Sequence, residues 1–447
     1  MRTTTGPSAQ QQSGEQPPAT QQSVEQCPEC GADVPVDERF VRWCAACDWN
    51  VDPHPPEPPK GRIEEGRRAL ARRHGERLLT EMTEAGEEPR PRRDASALLA
   101  YGLALAVHGL TAALLVAGVW LTAAVPGPGV KVVGVLLLLI AWSLRPRWRK
   151  LPEGADLLHR SDAPELYALV DQVAATVGTR SVDTIAVDAD VNASVTTYGI
   201  RGRRLLTLGL PLWESLTPQE RIALLGHELG HYSHGDVRHG RVLASAYRSL
   251  SLWAYYTAPT ANPTLVEMAV NLFYLVPRTL IHGLILLLDQ LTLRATQRAE
   301  YLADAAAART ASTEAAVGLL DRLLVGSAAD TVLRREVNQA ATRTTGPRSG
   351  ADRAGEERPE RLWETVAAHV ASIPESEYAR RRRAGAIRGH AVDATHPPTH
   401  LRRAALLAGP ASPAAVTADA ERTRRVDGEL APLRAAVTRR VIRDGVR

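Results

Sequence analysis

The sequence has little phenylalanine, little cysteine and little net charge. These shortages exclude a Phe-rich core, a disulfide framework and a strongly basic binding surface. With only two Phe in 447 residues, the hydrophobic cores must be built from Leu, Val, Ala, Trp and Tyr. The 54 Lys and Arg residues nearly balance the 50 Asp and Glu residues, and the net charge of +4 is too small to predict nucleic-acid binding. No charged segment followed by an apolar one opens the chain, so we expect no cleaved signal peptide.

The four cysteines form two close pairs, Cys27 with Cys30 and Cys44 with Cys47. Such pairs are typical of a metal site in a reducing compartment rather than of a disulfide framework. Four thiolates at these spacings favour a structural Zn²⁺ ion, with a rubredoxin-like iron site or a redox dithiol pair as alternatives. We therefore predict a zinc ribbon over residues 27–50, whose partner the sequence does not identify.

The segments around the ribbon differ from it in composition. Residues 1–26 are rich in Gln, Thr, Ser and Pro, which predicts a disordered tail. Residues 51–94 are predicted to be a proline-rich spacer followed by a charged helix, for which we favour a solvated or coiled arrangement. Far along the chain, a basic cluster at residues 380–383 is interpreted as a solvated face.

Two apolar runs follow the charged helix. Residues 97–125 exceed the ~20 residues that a spanning helix needs, while residues 132–144 form a shorter run. Arginines flank the pair on both sides, and positive flanks collect on the cytoplasmic side of a membrane. We therefore predict a transmembrane hairpin at residues 95–145 with both ends in the cytoplasm. A hairpin buried in a soluble protein is the alternative.

Short β-like runs appear after this hairpin. A helix is predicted over residues 164–177, and strands are predicted over residues 184–188, 194–198 and 204–208. A small sheet of this kind would place an edge strand beside the next helix. Extended peptides commonly bind by adding to such an edge.

The next helix carries the strongest chemical pattern in the chain. Thr217 is a suitable N-cap, and Glu220 lies where a capping box needs a carboxylate. The helix contains His227-Glu228-Leu229-Gly230-His231, an HExxH pattern. Histidines four residues apart leave the same face of a helix and can bind one metal ion. Glu228 lies beside them, where it can take a proton from a water molecule.

A catalytic zinc site needs a third protein ligand and an open fourth position. Metzincins have Gly and His three and six residues after the second histidine, where this chain has His234 and Val237, so that class is excluded. In gluzincins the third ligand is a glutamate from a second helix, and Glu300 is the candidate for this ligand. Asp304, one turn later, could accept a proton from the second nitrogen of a ligating histidine.

Further apolar segments occupy much of residues 242–293, between the two motifs. Arg248, Arg278 and Asp289 lie inside them, and a charge at the centre of a bilayer costs about 2.5 kcal/mol or more. Because the ligands on both sides must meet, this region spans the membrane twice or not at all. A second hairpin and long helices packed on the catalytic domain both remain open.

Together these motifs resemble the HtpX and CaaX-prenyl-protease superfamily of integral membrane zinc metalloendopeptidases, over roughly residues 160–410. The resemblance is carried by Asn192-Ala193 before a strand, HELGH at 227–231, EYLAD at 300–304 and THPPTHLR at 395–402. It implies that His227, His231 and Glu300 bind a catalytic zinc and that Glu228 activates the water. The ribbon lies outside the usual pattern of that superfamily.

The resemblance also suggests roles around the metal. Asp304 would support a ligand, Asn192 would line the substrate edge, and His396 and Arg402 would lie near the site. In the resulting mechanism, His396 would stabilise the oxyanion that develops on the scissile carbonyl.

The predicted fold is α+β and mostly helical. It combines the ribbon and hairpin with a gluzincin-type metallopeptidase core and small edge sheet over residues 155–310. A helical region over residues 311–447 would complete the site near residues 396–402. The predicted function is a membrane-anchored zinc endopeptidase that cleaves membrane or misfolded proteins, multi-pass in the plasma (inner) membrane, with its N-terminus and catalytic domain cytoplasmic. The alternative is a membrane-tethered scaffold that recruits partners through its ribbon and has an inactive peptidase domain.

Overall fold

The computed structural model describes residues 23–54, 61–84, 95–147, 149–152, 154–233, 236–345, 360–388 and 397–446. Over these residues the chain is mostly helical with two small sheets, which confirms the predicted mostly helical α+β class. The predicted tail lies outside the described residues except for residues 23–26, which form a strand.

The strands form a two-stranded and a four-stranded sheet. They are β1 (Ser23–Gln26), β2 (Asp33–Val36), β3 (Asp156–Leu158), β4 (Thr184–Asp188), β5 (Ala193–Tyr198) and β6 (Arg203–Gly209). In the larger sheet the order is β3-β4-β6-β5, with β4 and β6 parallel and the other neighbours antiparallel. The three predicted strands are confirmed to within one residue at each end, and β5 lies at the edge of the sheet.

The helices include every one that the sequence predicts within the described residues. They are α1 (Arg62–Glu84), α2 (Ala95–Ala123), α3 (Pro128–Leu144), α4 (Pro164–Val177), α5 (Leu210–Ser215), α6 (Pro218–Ser233), α7 (Asp236–Tyr256), α8 (Leu265–Phe273), α9 (Leu275–Ala311), α10 (Thr313–Leu324), α11 (Gly326–Thr345), α12 (Glu360–Ala371), α13 (Glu375–Arg388), α14 (Thr399–Ala408) and α15 (Ala420–Asp444). Helix α9 joins the last apolar run and the EYLAD motif without a break.

The main core lies between the four-stranded sheet and helices α4, α6, α10, α11, α12 and α15. Tyrosine and tryptophan supply its largest side chains, as the scarcity of Phe requires; Trp213, Trp363 and Tyr167 are at most 2% exposed. The Tyr167 hydroxyl donates to the Leu158 carbonyl at 2.8 Å and accepts from the Ile185 amide at 3.0 Å, so its polar end is satisfied inside the core.

Helices α2, α3, α7 and α9 pack together as a second, apolar unit. Its interior contains Ala104, Val107, Leu250 and Ile281, while many Leu, Val and Trp side chains on the outside are exposed. Helices α2 and α9 are each long and apolar enough to cross a bilayer, and α3 is a shorter apolar helix.

Helix α1 does not have the solvated arrangement favoured from the sequence. It packs on α14 and α9, and its Leu78 side chain is only 1% exposed. Its Glu81 pairs with Arg294 of α9 at 2.9 Å. The C-terminal half of this charged helix is therefore packed through Leu78, while Leu70 nearer its start is exposed.

The N-terminal ribbon packs on α13, where the sequence suggests a solvated basic face. The contacts are Trp43 Nε1 to the Ser376 carbonyl at 3.1 Å, Arg380 Nη1 to the Val51 carbonyl at 2.8 Å, Arg383 Nε to Asp48 Oδ1 at 2.8 Å, and the pair of Arg388 with Asp52. Within the cluster, Arg380 and Arg381 both donate to Glu377 at 2.7 Å. The interpretation as a solvated face is therefore wrong, because these arginines are used within the chain.

Candidate metal centre

Helix α6 begins with the predicted capping box. The Glu220 carboxylate accepts from the Thr217 amide at 2.8 Å, and the Thr217 hydroxyl accepts from the Glu220 amide at 3.3 Å. This start confirms the predicted helix and its phase. His227 and His231 consequently lie on one face, with their ring centroids 4.9 Å apart.

Small residues bring α6 and α9 unusually close together. A Cβ atom added at Gly226 would lie 3.1 Å from Ala307 Cα, and one added at Gly230 would lie 3.0 Å from Ala303 Cα. These distances are tighter than ordinary van der Waals contact, so no larger side chain fits at either position without movement of α9. The close approach places the α9 residue Glu300 opposite the two histidines.

The side chains of His227, His231 and Glu300 converge on one point. Their candidate ligand atoms all lie within 4.8 Å of one another, and each histidine Nε2 is 3.6 Å from a Glu300 carboxylate oxygen. A separation of 3.6 Å is too long for a hydrogen bond. Two atoms bound to one zinc ion at 2.0–2.1 Å with a tetrahedral angle lie about 3.3 Å apart, so the three side chains fit such an ion.

Asp304 and Arg402 lie behind His227 and are almost completely buried. Asp304 Oδ1 is 3.0 Å from His227 Nδ1, and Arg402 donates two hydrogen bonds to the same carboxylate at 2.6 and 2.7 Å. Burial alone would lower the pKa of His227, but the hydrogen bond and charge of Asp304 raise it. This pair orients the ring so that Nε2 faces Glu300.

Of the remaining predicted residues, Glu228 and Asn192 are described by the structure and His396 is not. Glu228 lies on α6 beside His227 and is 8% exposed. Asn192 is exposed directly before β5, and its carbonyl accepts from the Gly209 amide at 2.9 Å. His396 lies outside the described residues, although Arg402 on the following helix α14 reaches the site.

Tyr232 also lies beside this site, and no sequence motif predicts its role. Its hydroxyl donates to the Thr196 carbonyl at 2.7 Å and so joins the end of α6 to the edge strand β5. Arg204 lies over its ring, with the guanidinium carbon 4.2 Å from the centroid. Its position directly after His231 is the only signal in the sequence, because its partner lies 36 residues earlier in a different element.

The four cysteines form a second cluster in the ribbon. Cys27 Sγ lies 3.7 Å from Cys47 Sγ, and Cys30 Sγ lies 3.6 Å from Cys44 Sγ. These distances exclude disulfides, whereas thiolates bound to one zinc ion at 2.3 Å lie about 3.8 Å apart. Desolvation alone would raise the pKa of Cys27, but backbone hydrogen bonds from Cys30 and Glu29 lower it to about 7. Against a backbone hydrogen bond from Trp49, desolvation and the other three thiols raise the pKa of Cys47 to about 12. The sulfur–sulfur distances of the cluster therefore fit one zinc ion bound by four thiolates.

A comparison with protein-family models matches residues 160–409 to Peptidase family M48. The matched region is more than half of the chain, and it contains the HELGH, EYLAD and THPPTHLR segments but neither the ribbon nor α2 and α3. No curated protein and no solved structure matches the chain.

Proposed function

Because the chain belongs to peptidase family M48, we propose that it is a membrane-anchored, zinc-dependent endopeptidase of the gluzincin type that cleaves membrane or misfolded proteins. The family agrees with the resemblance to HtpX-like enzymes, and its members are metal-dependent peptidases that typically use zinc. The observation that carries the proposal is the convergence of His227, His231 and Glu300 from two helices onto one point.

In this proposal His227, His231 and Glu300 would hold the catalytic ion. When bound, zinc lowers the pKa of water and polarises a carbonyl group. Glu228 takes the proton of the attacking water and delivers it to the leaving amine. Asp304, held by Arg402, keeps the His227 ring in place.

We assign two further roles from the resemblance. His396 stabilises the negative charge that develops on the scissile carbonyl. Asn192, directly before the edge strand β5, contacts the substrate backbone; an extended peptide paired with β5 would run past α6.

The membrane part of the proposal is supported by α2, α3 and α9. The first and last have the length and composition of spanning helices, and the outer surface of the hairpin is apolar. Arg145, Arg147, Arg149 and Lys150 follow the hairpin, which favours a cytoplasmic location for the peptidase domain and the N-terminus in a multi-pass plasma (inner) membrane protein.

The decisive experiment measures digestion of an unfolded model protein by the detergent-purified full chain and by its Glu228→Gln variant. The variant is expected to keep its metal content and its melting temperature while losing about 10²- to 10⁴-fold in kcat/KM, because the general base is gone. Glu421→Gln, at a carboxylate whose side chain is 70% exposed on α15, is the matched control and should cleave normally.

Elemental analysis of the same samples separates the alternatives. Two zinc ions per chain are expected, one of which is lost on replacement of the cysteines. Full activity of Glu228→Gln would contradict the mechanism. A single zinc that disappears with the cysteines, together with no cleavage, would favour the scaffold.

A further inference from the structure

A small cavity lies between the edge strand β5 and helix α7. Its walls are formed by residues 195–197 of β5, Tyr232 at the end of α6, Ala244 and Arg248 of α7, and Arg149 after the hairpin. Its volume is about 230 Å³. Pockets for drug-sized molecules measure about 300–1,000 Å³, so this one has the size for a single side chain.

Arg149 and Arg248 line this cavity without an acidic partner. Neither guanidinium forms a hydrogen bond or an ion pair with any residue in the described part of the chain, and no Asp or Glu lines the cavity. The two groups are close enough for the charge of Arg149 to act on Arg248. The arginines of α13, in contrast, are held by Glu377, Asp321 and the ribbon carboxylates.

Two uncompensated positive charges at one cavity favour an anion, and oxyanions are the groups that arginine binds best. A carboxylate or a phosphate in the cavity would reduce the repulsion between the two positive charges. The charges therefore indicate an anionic ligand. The position of the cavity indicates which molecule carries the anion.

The cavity shares its walls with the proposed substrate path. Tyr232 directly follows His231 and donates to the Thr196 carbonyl, so the strand that lines the cavity is tied to the helix of the metal centre. The Gly199 amide donates to the Arg149 carbonyl at 2.9 Å, which fixes the Arg149 segment at the β5–β6 turn. A peptide lying along β5 would pass this cavity before or after the scissile bond.

We propose that Arg149 and Arg248 form a specificity subsite for an acidic side chain, Asp or Glu, of the peptide substrate. The inference rests on the proposed endopeptidase function. It adds to that function a preference for a carboxylate at one fixed distance from the cleaved bond.

The test uses the full chain in neutral detergent and fluorogenic peptides in which one Glu replaces Gln at each position in turn. At one position, the wild type is expected to prefer Glu by about tenfold in kcat/KM, as a charge-assisted hydrogen bond provides. Arg248→Gln and Arg149→Gln should bring the Glu-to-Gln ratio to about one, and Arg248→Lys should keep part of it. Arg147→Gln, an exposed arginine two residues before Arg149 whose guanidinium contacts the Tyr256 hydroxyl, is the matched control and should keep the full ratio.

The outcomes separate this inference from the function beneath it. Cleavage of the peptides without a Glu preference at any position would overturn the subsite and leave the endopeptidase standing, whereas no cleavage of any peptide would overturn the endopeptidase. A phospholipid headgroup is the competing source of the anion. If Arg149→Gln and Arg248→Gln change the response to phosphatidylglycerol in phosphatidylcholine vesicles but not the Glu preference, the subsite is wrong.

Discussion

The two candidate metal sites differ in what holds their ligand atoms together. At the histidine–glutamate site, the ligands stand on two long helices whose spacing depends on Gly230 against Ala303, and Asp304 fixes one ring from behind. In the ribbon, the ligands stand on two short turns around a core whose buried members are Cys27, Val34 and Cys44. The ligands of the first site are carried by helices that pack into the large main core, whereas those of the second surround a small hydrophobic core, to which a bound ion would add most of the stability.

The two regions also differ in how they are held to the rest of the chain. Arg402 and Asp304 pair where both side chains are at most 5% exposed, so losing either one leaves a buried charge. The ribbon is joined to α13 by pairs such as Arg383 with Asp48, in which the arginine side chain is 54% exposed. Water and salt weaken such surface pairs, whereas they have little access to the pair of Arg402 with Asp304.

Removing metal ions with a chelator is expected to have the largest effect on activity and folding. The effect on folding should differ between the two regions. Proteolysis stops, but α6 and α9 stay folded because their packing does not need the ion. The ribbon unfolds, since about 10–16 kcal/mol of apparent zinc-binding free energy supports structural sites of this kind. Hydrogen exchange of residues 23–54 and 218–233 measures the contrast. Equal loss of protection in both segments would remove the distinction between the two sites.

Arg402→Met tests the buried pair. The Asp304 carboxylate is left without its cation, and the expected loss of stability is about 3–5 kcal/mol by thermal or urea unfolding. Arg403→Met on the same helix is the control. The Arg403 side chain pairs with Asp321 and is 30% exposed, so this substitution should lower the stability by about 1 kcal/mol or less. Similar losses in the two variants would show that burial does not set the strength of this pair.

Gly230→Ala tests the contact between the two ligand-bearing helices. The new methyl group would meet Ala303 Cα at 3.0 Å, so α9 must shift by a few tenths of an ångström. We expect a loss of about 1–3 kcal/mol in stability together with reduced kcat/KM, because Glu300 moves with α9. In Gly66→Ala on α1, nothing lies within 4 Å of the added atom, and stability should stay the same or rise by up to about 1 kcal/mol. A harmless Gly230→Ala would argue against packing as the source of the ligand geometry.

Asp52→Asn should have the smallest effect. It weakens the pair between Asp52, whose side chain is 10% exposed, and Arg388, whose side chain is 43% exposed. Because the arginine is open to solvent and Asn can still accept a hydrogen bond, the expected cost is about 1 kcal/mol or less, with increased hydrogen exchange in residues 23–54. Peptidase activity should be unchanged. A large fall in activity would mean that the attachment of the ribbon acts on the catalytic site.

Much of the peptidase site could be predicted because its signals are local. The phase of α6 follows from Thr217 and Glu220, and the four-residue spacing of His227 and His231 fixes their common face. Glu300 is predictable because a catalytic zinc site requires a third ligand, and this requirement is chemical rather than periodic. Patterns within one turn of a helix survive folding unchanged, so sequence reasoning is reliable for them.

The parts that could not be predicted depend on contacts between distant segments. Asp48 and Arg383 are 335 residues apart, and nothing in either segment specifies that the two charges meet. The sequence therefore suggests a solvated basic face where the structure has an attachment surface. Tyr232 and Thr196 illustrate the same limit, because a hydroxyl gives no sign of which carbonyl it will reach.

The continuity of α9 has a consequence for how the enzyme would respond to its surroundings. The helix runs from Leu275 to Ala311 without a break, so the apolar stem and Glu300 belong to one rod about 55 Å long. Turning the stem by two degrees about Ile281 would displace Glu300 by about 1 Å, since roughly 30 Å of helix separates them. Shifts of that size change reaction rates strongly. In the proposed membrane arrangement, the thickness and lateral pressure of the lipid around residues 275–293 would thus act directly on the position of Glu300, because the helix has no break between them.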